Sequence, residues 1–190
     1  NEITVKLKCS IEEMYNILEN KGFEIVDKFS LDDTYFVSKD IDINKMLPRE
    51  ILKHCILIRE ITQYMPELRI IKMTYKNKNI APNGDIINQE NVNCSIMSVE
   101  EGKKFLNVIG YNKIMNIKEN DIVYEKDGFQ IAVKDIKNGE NLIEVETAND
   151  NPELDTIEKL KKKINELQIP IDTNDNPELD TIEKLKKKIN

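Results

Sequence analysis

The sequence predicts an α+β protein whose sheet is mostly antiparallel. Short segments that alternate apolar and polar residues, typical of half-buried strands, follow one another with gaps the length of turns. Two capping boxes, Ser10 with Glu13 and Ser98 with Glu101, each open a stretch with helical periodicity. A strand, a helix and several further strands are therefore predicted twice along the chain.

The first half begins with a strand and a helix. Polar and apolar residues alternate over 2–8, which predicts a strand with one buried face. Ser10 then opens a helix, and Gly22 ends it because glycine tolerates the left-handed backbone found at helix C-termini. A turn at 31–33 is predicted to separate the next two strands. The strands predicted after the helix cover 23–29, 34–38, 55–61, 69–76 and 88–97.

The second half follows the same order. Ser98 opens the second helix and Gly110 ends it, and the later strands are predicted at 112–117, 121–124, 129–136 and 141–147. Asp33 and Phe36 recur as Asp121 and Tyr124 at the same spacing. These matches predict a degenerate duplication, with halves of about 1–85 and 86–148.

Residues 149–165 recur without a difference as 174–190. An early proline, a D-x-x-E cap at Asp155 and Glu158, and lysines near the end predict a C-terminal helix over 151–167. Its apolar stripe would pack against the sheet or against a second subunit of a homodimer. A recent duplication, an engineered sequence or an artefact of the recorded sequence would each explain the second copy. Leaving the second copy aside, we expect residues 1–173 to form a single domain.

The composition excludes several function classes. The chain has 28 Lys and Arg against 35 Asp and Glu, a net charge of −7, which argues against a general nucleic-acid binder. No apolar stretch approaches the roughly 20 residues that span a bilayer, and no secretory signal is visible. Three widely spaced cysteines and one histidine make a poor zinc site. We expect a cytoplasmic protein without a nucleic-acid or membrane partner.

At least four predicted strands carry a row of charged residues on one face and aliphatic residues on the other. One interpretation is an antiparallel sheet with a solvated face. The other is a curled sheet whose polar face lines a cavity, where lysines and arginine hold an anion and glutamates hold a divalent cation. The alternation alone leaves both interpretations open.

Five segments on these strands occur in an order that matches one family. They are Glu2-Ile3-Thr4-Val5-Lys6, Asp33-Thr34-Tyr35-Phe36, Ile56-Leu57-Ile58-Arg59-Glu60, Thr74-Tyr75-Lys76 and Leu142-Ile143-Glu144-Val145-Glu146. Together they resemble the E-x-E-x-K, D-x-Y-F, L-R-I-R-E, T-x-K and F-x-E-I-E segments of the CYTH superfamily. That superfamily contains class IV adenylate cyclases, thiamine triphosphatases and inorganic triphosphatases.

The resemblance implies an antiparallel eight-stranded closed β-barrel, a triphosphate tunnel, with two degenerate halves and helices packed outside. It implies that Mg²⁺ or Mn²⁺ is held by Glu2, Glu144 and Glu146. It assigns catalytic roles to Glu2, Lys6 and Arg59. The residues implied to contact the triphosphate are Lys8, Lys72, Lys76, Lys118 and Lys134.

The sequence departs from the family pattern at four positions. Thr4 replaces the second glutamate of E-x-E-x-K, and Leu57 replaces the first arginine of L-R-I-R-E. Asn120 stands where a K-x-R strand has its arginine, although Lys118 is retained, and Lys134 stands in place of an aspartate. Groups that act together in catalysis lose far more than additively, so these departures bear directly on activity.

Three functions follow from this pattern. The first is divalent-metal-dependent hydrolysis of tripolyphosphate or an organic triphosphate inside a charged tunnel. The alternative is a non-catalytic tunnel that binds polyphosphate or a nucleotide. The least favoured is a class IV-type adenylate cyclase, because the His-Phe pair usual before the signature is not present ahead of Glu2.

Overall fold

Nine strands and three α-helices make up the described part of a computed structural model, residues 2–46, 51, 53–80, 86–147 and 151–172, with the backbone alone at 76–80 and 86–89. The helices are α1 (Ile11–Asn20), α2 (Val99–Val108) and α3 (Ile157–Glu166). The strands are β1 (Glu2–Leu7), β2 (Glu24–Ser38), β3 (Ile56–Tyr64), β4 (Glu67–Ile80), β5 (Ile86–Ser95), β6 (Tyr111–Lys126), β7 (Phe129–Ile136), β8 (Asn141–Glu146) and β9 (Ile171–Asp172).

The strands form one sheet in the order β5-β4-β3-β2-β6-β7-β8-β1-β9, and the ladders between described strands are antiparallel. The predicted α+β class with an antiparallel sheet is therefore confirmed. The order strand, helix, three strands occurs twice, from β1 to β4 and from β5 to β8. Whether this order arose by duplication stays a prediction.

The expected closed eight-stranded barrel is not what the described ladders form. The sheet has nine strands, and β1 meets β5 only at the pair Glu2 and Ile86. The short ninth strand pairs with Lys6 and Leu7 on the edge of β1 that β8 leaves open. On this edge of β1, β9 therefore pairs at Lys6 and Leu7, and the described part of β5 pairs at Glu2.

Two predicted strand breaks are wrong. The turn expected at 31–33 lies inside the continuous strand β2, and the strands expected at 112–117 and 121–124 are one strand, β6. β2 and β6 pair with each other along nearly their whole length. Asp33 does not form a turn because it faces Arg59 across the β2–β3 ladder.

Ser10 and Ser98 are confirmed as the N-caps of α1 and α2. The Ser10 and Ser98 hydroxyls accept hydrogen bonds from the backbone N–H groups of Glu13 and Glu101, at 3.1 and 3.3 Å. After α1, Gly22 has the positive φ of +80° that glycine adopts at little cost.

The C-terminal helix is shorter than the predicted 151–167. It begins only at Ile157, because the Thr156 hydroxyl caps it by accepting from Lys159 N–H, so the expected cap at Asp155 is wrong. The second copy, 174–190, lies outside the described residues.

All three helices pack against the apolar face of the sheet. α1 and α3 cover the half that contains β1, β7 and β8, where Leu160 and Ile164 of α3 join the buried core. α2 packs against β3 and β6, and its Leu106 lies in a core cluster with Phe36 and Ile58. The stripe of α3 thus packs against the sheet of its own chain. Nowhere in the described residues is there a helix with the length and apolar character needed to cross a membrane.

Candidate functional site

The charged residues of β1 lie on the sheet face away from the helices. Ile3, Val5 and Leu7 are buried in the core, while Thr4 and Lys6 are half-buried on the opposite face. Successive side chains of a strand point to opposite faces of the sheet. Residues that pair with Thr4 and Lys6 on neighbouring strands therefore project from the same face, which we call the polar face.

Three carboxylates meet at the β1–β8 end of this polar face. Glu2 pairs with Glu146 across the ladder, and Glu144, two residues before Glu146, projects from the same face of β8. One oxygen from each of the three side chains lies within 4.8 Å of the others. The Thr4 hydroxyl donates to Glu144 Oε2 at 3.5 Å. Mg²⁺ and Mn²⁺ prefer oxygen ligands, so this donor set fits such an ion.

Arg59 forms a two-point ion pair with Asp33 in the middle of the face. Its Nε donates to Asp33 Oδ1 at 2.7 Å, and its Nη2 donates to Oδ2. Burial alone would lower the pKa of Arg59, but the hydrogen bond and charge of Asp33 raise it above its ordinary value. The guanidinium is therefore charged and held in a fixed orientation.

Lys134 on β7 is surrounded by acidic side chains. Its Nζ lies 3.1 Å from Glu144 Oε2, 3.4 Å from Glu119 Oε1 and 3.7 Å from Asp121 Oδ2. Burial alone would lower the pKa of Lys134, but the charges of Glu144, Glu119 and Asp121 raise it. The ammonium is therefore charged at neutral pH.

Asp121 is the most deeply buried acid of this group, with 1% of its surface exposed. Among the described residues, its Oδ1 has no hydrogen-bond partner. Burial raises the pKa of Asp121 to about 7; Lys134 opposes the rise, and the charges of Glu119 and Glu144 add to it. The group is therefore poised to change its protonation near neutral pH.

Two more of the predicted basic residues lie on the polar face. Lys6 Nζ is 2.6 Å from Glu140 Oε1. Lys72 lies beside Arg59 across the β3–β4 ladder and has no ion-pair partner among the described side chains. The structure thus places Lys6, Arg59, Lys72 and Lys134 on the face that carries the three carboxylates.

The other predicted basic residues are not brought together with them. Lys118 projects from the opposite face of β6 and pairs with Asp32 at 2.8 Å. Lys8 lies beyond the end of β1, is mostly exposed and comes within 4.0 Å of Asp172. The backbone of Lys76 pairs with Asn91, and its side chain lies outside the described part of the structure.

The departures from the family pattern have different structural consequences. Leu57 is only 2% exposed and faces Tyr35 and Thr74 across its ladders, so an apolar side chain fills that position. Thr4 keeps an oxygen next to Glu144. Asn120 lies on the same side of β6 as Lys118, away from the charged face.

Sequence reasoning missed three acidic residues of the polar face, Asp33, Glu119 and Asp121. A usable signal was present in β6, because strand alternation puts Glu119 and Asp121 on one face and Lys118 on the other. A second signal was the recurrence of Asp33 as Asp121.

No protein-family model matches the chain, and no curated protein matches it by sequence. Solved structures do match. The PH1819 protein from Pyrococcus horikoshii superposes with a TM-score of 0.70 at 18% identity, over 97% of this chain and 99% of that chain. A proposed adenylate cyclase from Vibrio parahaemolyticus gives 0.52 at 11%, over 95% and 97% of the two chains. A proposed adenylate cyclase from Bacillus halodurans gives 0.51 at 13%, over 92% of each.

These likenesses define the class of fold. The chain shares its fold with the Pyrococcus protein and with the two proposed cyclases. The resemblance found in the sequence is therefore confirmed at the level of the fold. At such low identity the likeness gives the fold alone, and the chemistry must be argued from the residues of this chain.

Proposed function

We propose that this chain binds a triphosphate together with a divalent cation on the polar face of its sheet and hydrolyses a phosphoanhydride bond. The observation that carries the proposal is the convergence of Glu2, Glu144 and Glu146 within 4.8 Å, on the face that also holds Arg59 and Lys72. The curled sheet that would turn this face into a tunnel is part of the proposal.

The charge balance of the face supports a joint requirement for anion and metal. Among the described side chains that face it, the acids outnumber the bases. The acids include Glu2, Asp27, Asp33, Glu119, Asp121, Glu144, Glu146 and Asp172, and the bases include Lys6, Arg59, Lys72 and Lys134. A triphosphate alone would be repelled by this excess, so a cation is needed to bring it in.

Each group has a defined part in this proposal. Glu2, Glu144 and Glu146 would hold Mg²⁺ or Mn²⁺, which polarises a phosphoryl oxygen and lowers the pKa of bound water when it is present. Lys72 is available to contact a phosphate oxygen. Arg59 uses Nε and Nη2 for Asp33, which leaves its remaining N–H donors for the anion.

The test is orthophosphate release from tripolyphosphate in the presence of Mg²⁺ or Mn²⁺. We expect Glu146→Gln to lower the rate by about 100-fold, because even residues that only support metal ligands cost 10- to 100-fold. Glu100→Gln on the exposed surface of α2 is the matched control and should retain the wild-type rate. Wild-type release no faster than that of Glu146→Gln would contradict the proposal.

A binding role without turnover is the second candidate. It is favoured by the apolar Leu57 and by Thr4 at positions where the family pattern has an arginine and a glutamate. Calorimetry that detects tripolyphosphate binding without product release would select this role. An assay with ATP as a second substrate distinguishes hydrolysis from cyclic AMP formation, because only the second reaction yields cyclic AMP. Adenylate cyclase is the activity proposed for the Vibrio and Bacillus proteins.

A further inference from the structure

Lys134 lies where three acidic side chains from neighbouring strands converge. Glu119 and Asp121 come from β6, and Glu144 comes from β8 on the other side of β7. All three have a carboxylate oxygen between 3.1 and 3.7 Å from Nζ. The Lys134 side chain is only 14% exposed, so solvent screens this cluster weakly.

Among the described side chains, the ammonium of Lys134 is shared by all three carboxyl groups of the cluster. The nearest other described base, Arg59, is already engaged by Asp33. In addition, the carboxyl of Asp121 is 1% exposed, and its Oδ1 has no hydrogen-bond partner among the described residues. Buried carboxylate oxygens without partners are costly, and a cation would satisfy them.

The same oxygens would suit a metal ion. Carboxylates from several strands around one point are the donor type that Mg²⁺ and Mn²⁺ bind. A lysine ammonium is a compact positive charge that can neutralise the same carboxylates. We propose that the Lys134 ammonium is a built-in cation that fills a second divalent-metal site formed by Glu119, Asp121 and Glu144. The intact chain therefore holds a single divalent ion, at Glu2, Glu144 and Glu146; this last ion rests on the function proposed above.

Removal of the positive charge should open the second site. In Lys134→Met the side chain keeps a similar length but loses the ammonium, which leaves the carboxyl groups of Glu119, Asp121 and Glu144 around the vacated point. Metal affinity depends on ligand charge, so an extra divalent ion is expected to bind there.

The experiment is a calorimetric titration of the full chain with Mn²⁺. We expect one ion per chain for the wild type and two for Lys134→Met. Lys134→Arg keeps the charge and should stay at one ion. Lys104→Ala removes an exposed lysine on α2 and should also stay at one. Adding Asp121→Asn to Lys134→Met should remove the gained ion.

The outcomes separate this inference from the proposed function. Two ions in the wild type, or no gain in Lys134→Met, overturns the inference. A wild type that binds no ion beside a variant that binds one supports the inference and overturns the metal site of the proposed function. If Lys134→Met unfolds without metal, recovery of its folded circular dichroism signal with Mn²⁺ supports the inference, and failure to recover overturns it.

Discussion

Two cross-strand pairs on the polar face occupy matching places in the two halves of the fold. Asp33 faces Arg59 across β2 and β3, and Asp121 faces Lys134 across β6 and β7. The first pair is a closed two-point contact between one acid and one base. In the second, a single lysine is shared by Asp121, Glu119 and Glu144.

The difference shows how one strand arrangement yields two electrostatic environments. The strand after the first pair, β4, adds the base Lys72, whereas the strand after the second pair, β8, adds the acid Glu144. One side of the polar face is thus neutral to basic and the other is acidic. Such a division suits a ligand that brings both phosphate oxygens and a metal ion.

The same substitution in the two pairs should have opposite effects on stability. Asp33 is the only acid that forms an ion pair with Arg59 among the described residues. Asp33→Asn therefore leaves a largely buried guanidinium without its counter-charge. Breaking one side of a buried ion pair costs about 3 kcal/mol or more. Urea denaturation monitored by circular dichroism should show this loss in the free energy of unfolding. A loss below about 1 kcal/mol, the range of exposed pairs, would show that the pair is not effectively buried.

Asp121→Asn should instead raise the free energy of unfolding at about pH 8, by about 1–3 kcal/mol, because it removes a negative charge that burial destabilises and Lys134 offsets only in part. Lys134 keeps Glu119 and Glu144 as partners.

The free energy of unfolding of the wild type should also depend on pH through Asp121. The pKa of Asp121 rises from 3.8 to about 7 on folding, so between these values the folded state holds a proton that the unfolded state has lost.

The free energy of unfolding of the wild type should therefore fall as the pH rises through this window, and this contribution should vanish in Asp121→Asn. Parallel urea titrations of the two proteins at about pH 4 and at about pH 8 isolate the contribution of this one group. A difference between them that stays constant with pH would exclude the raised pKa.

The smallest expected effect concerns the anion. Lys72→Ala should weaken tripolyphosphate binding about tenfold, which corresponds to about 1.4 kcal/mol, because it removes an available cation from the polar face. Lys118→Ala is the control, since Lys118 projects from the opposite face and is paired with Asp32. Calorimetry with Mg²⁺ present measures both affinities. Equal losses for the two variants would place the anion elsewhere.

Sequence patterns between neighbouring residues predicted where α1 and α2 begin and where α1 ends, but they did not predict where the long strands continue. The N-caps Ser10 and Ser98 and the stop at Gly22 depend on neighbouring residues, and they were predicted correctly. The turn expected near Asp33 was wrong because its partner, Arg59, is distant in sequence and is not visible in a local pattern. The pairing of β9 with β1 was likewise not predicted, because the two strands are distant in sequence and meet only in the folded chain.

The candidate site was predictable in part for the same reason. Alternation gave the shared face of Glu144 and Glu146, and the family resemblance added Glu2. The same alternation separates Lys118 from Glu119, but the family pattern drew attention to the lysine. The sharing of Lys134 among three acids depends on the register of β6, β7 and β8, which a sequence does not reveal.

The ladder between β1 and β8 has a consequence for the order of folding. The hydrogen bond from Thr4 to Glu144 joins positions 140 residues apart, so it closes a loop that contains every element from β2 to β7. Contacts of such long range form late, because loop closure must be achieved before they contribute. The three carboxylates come together only when the first strand meets the last long one. A cation bound among them would therefore link β1 to β8 and would bind the completed fold selectively.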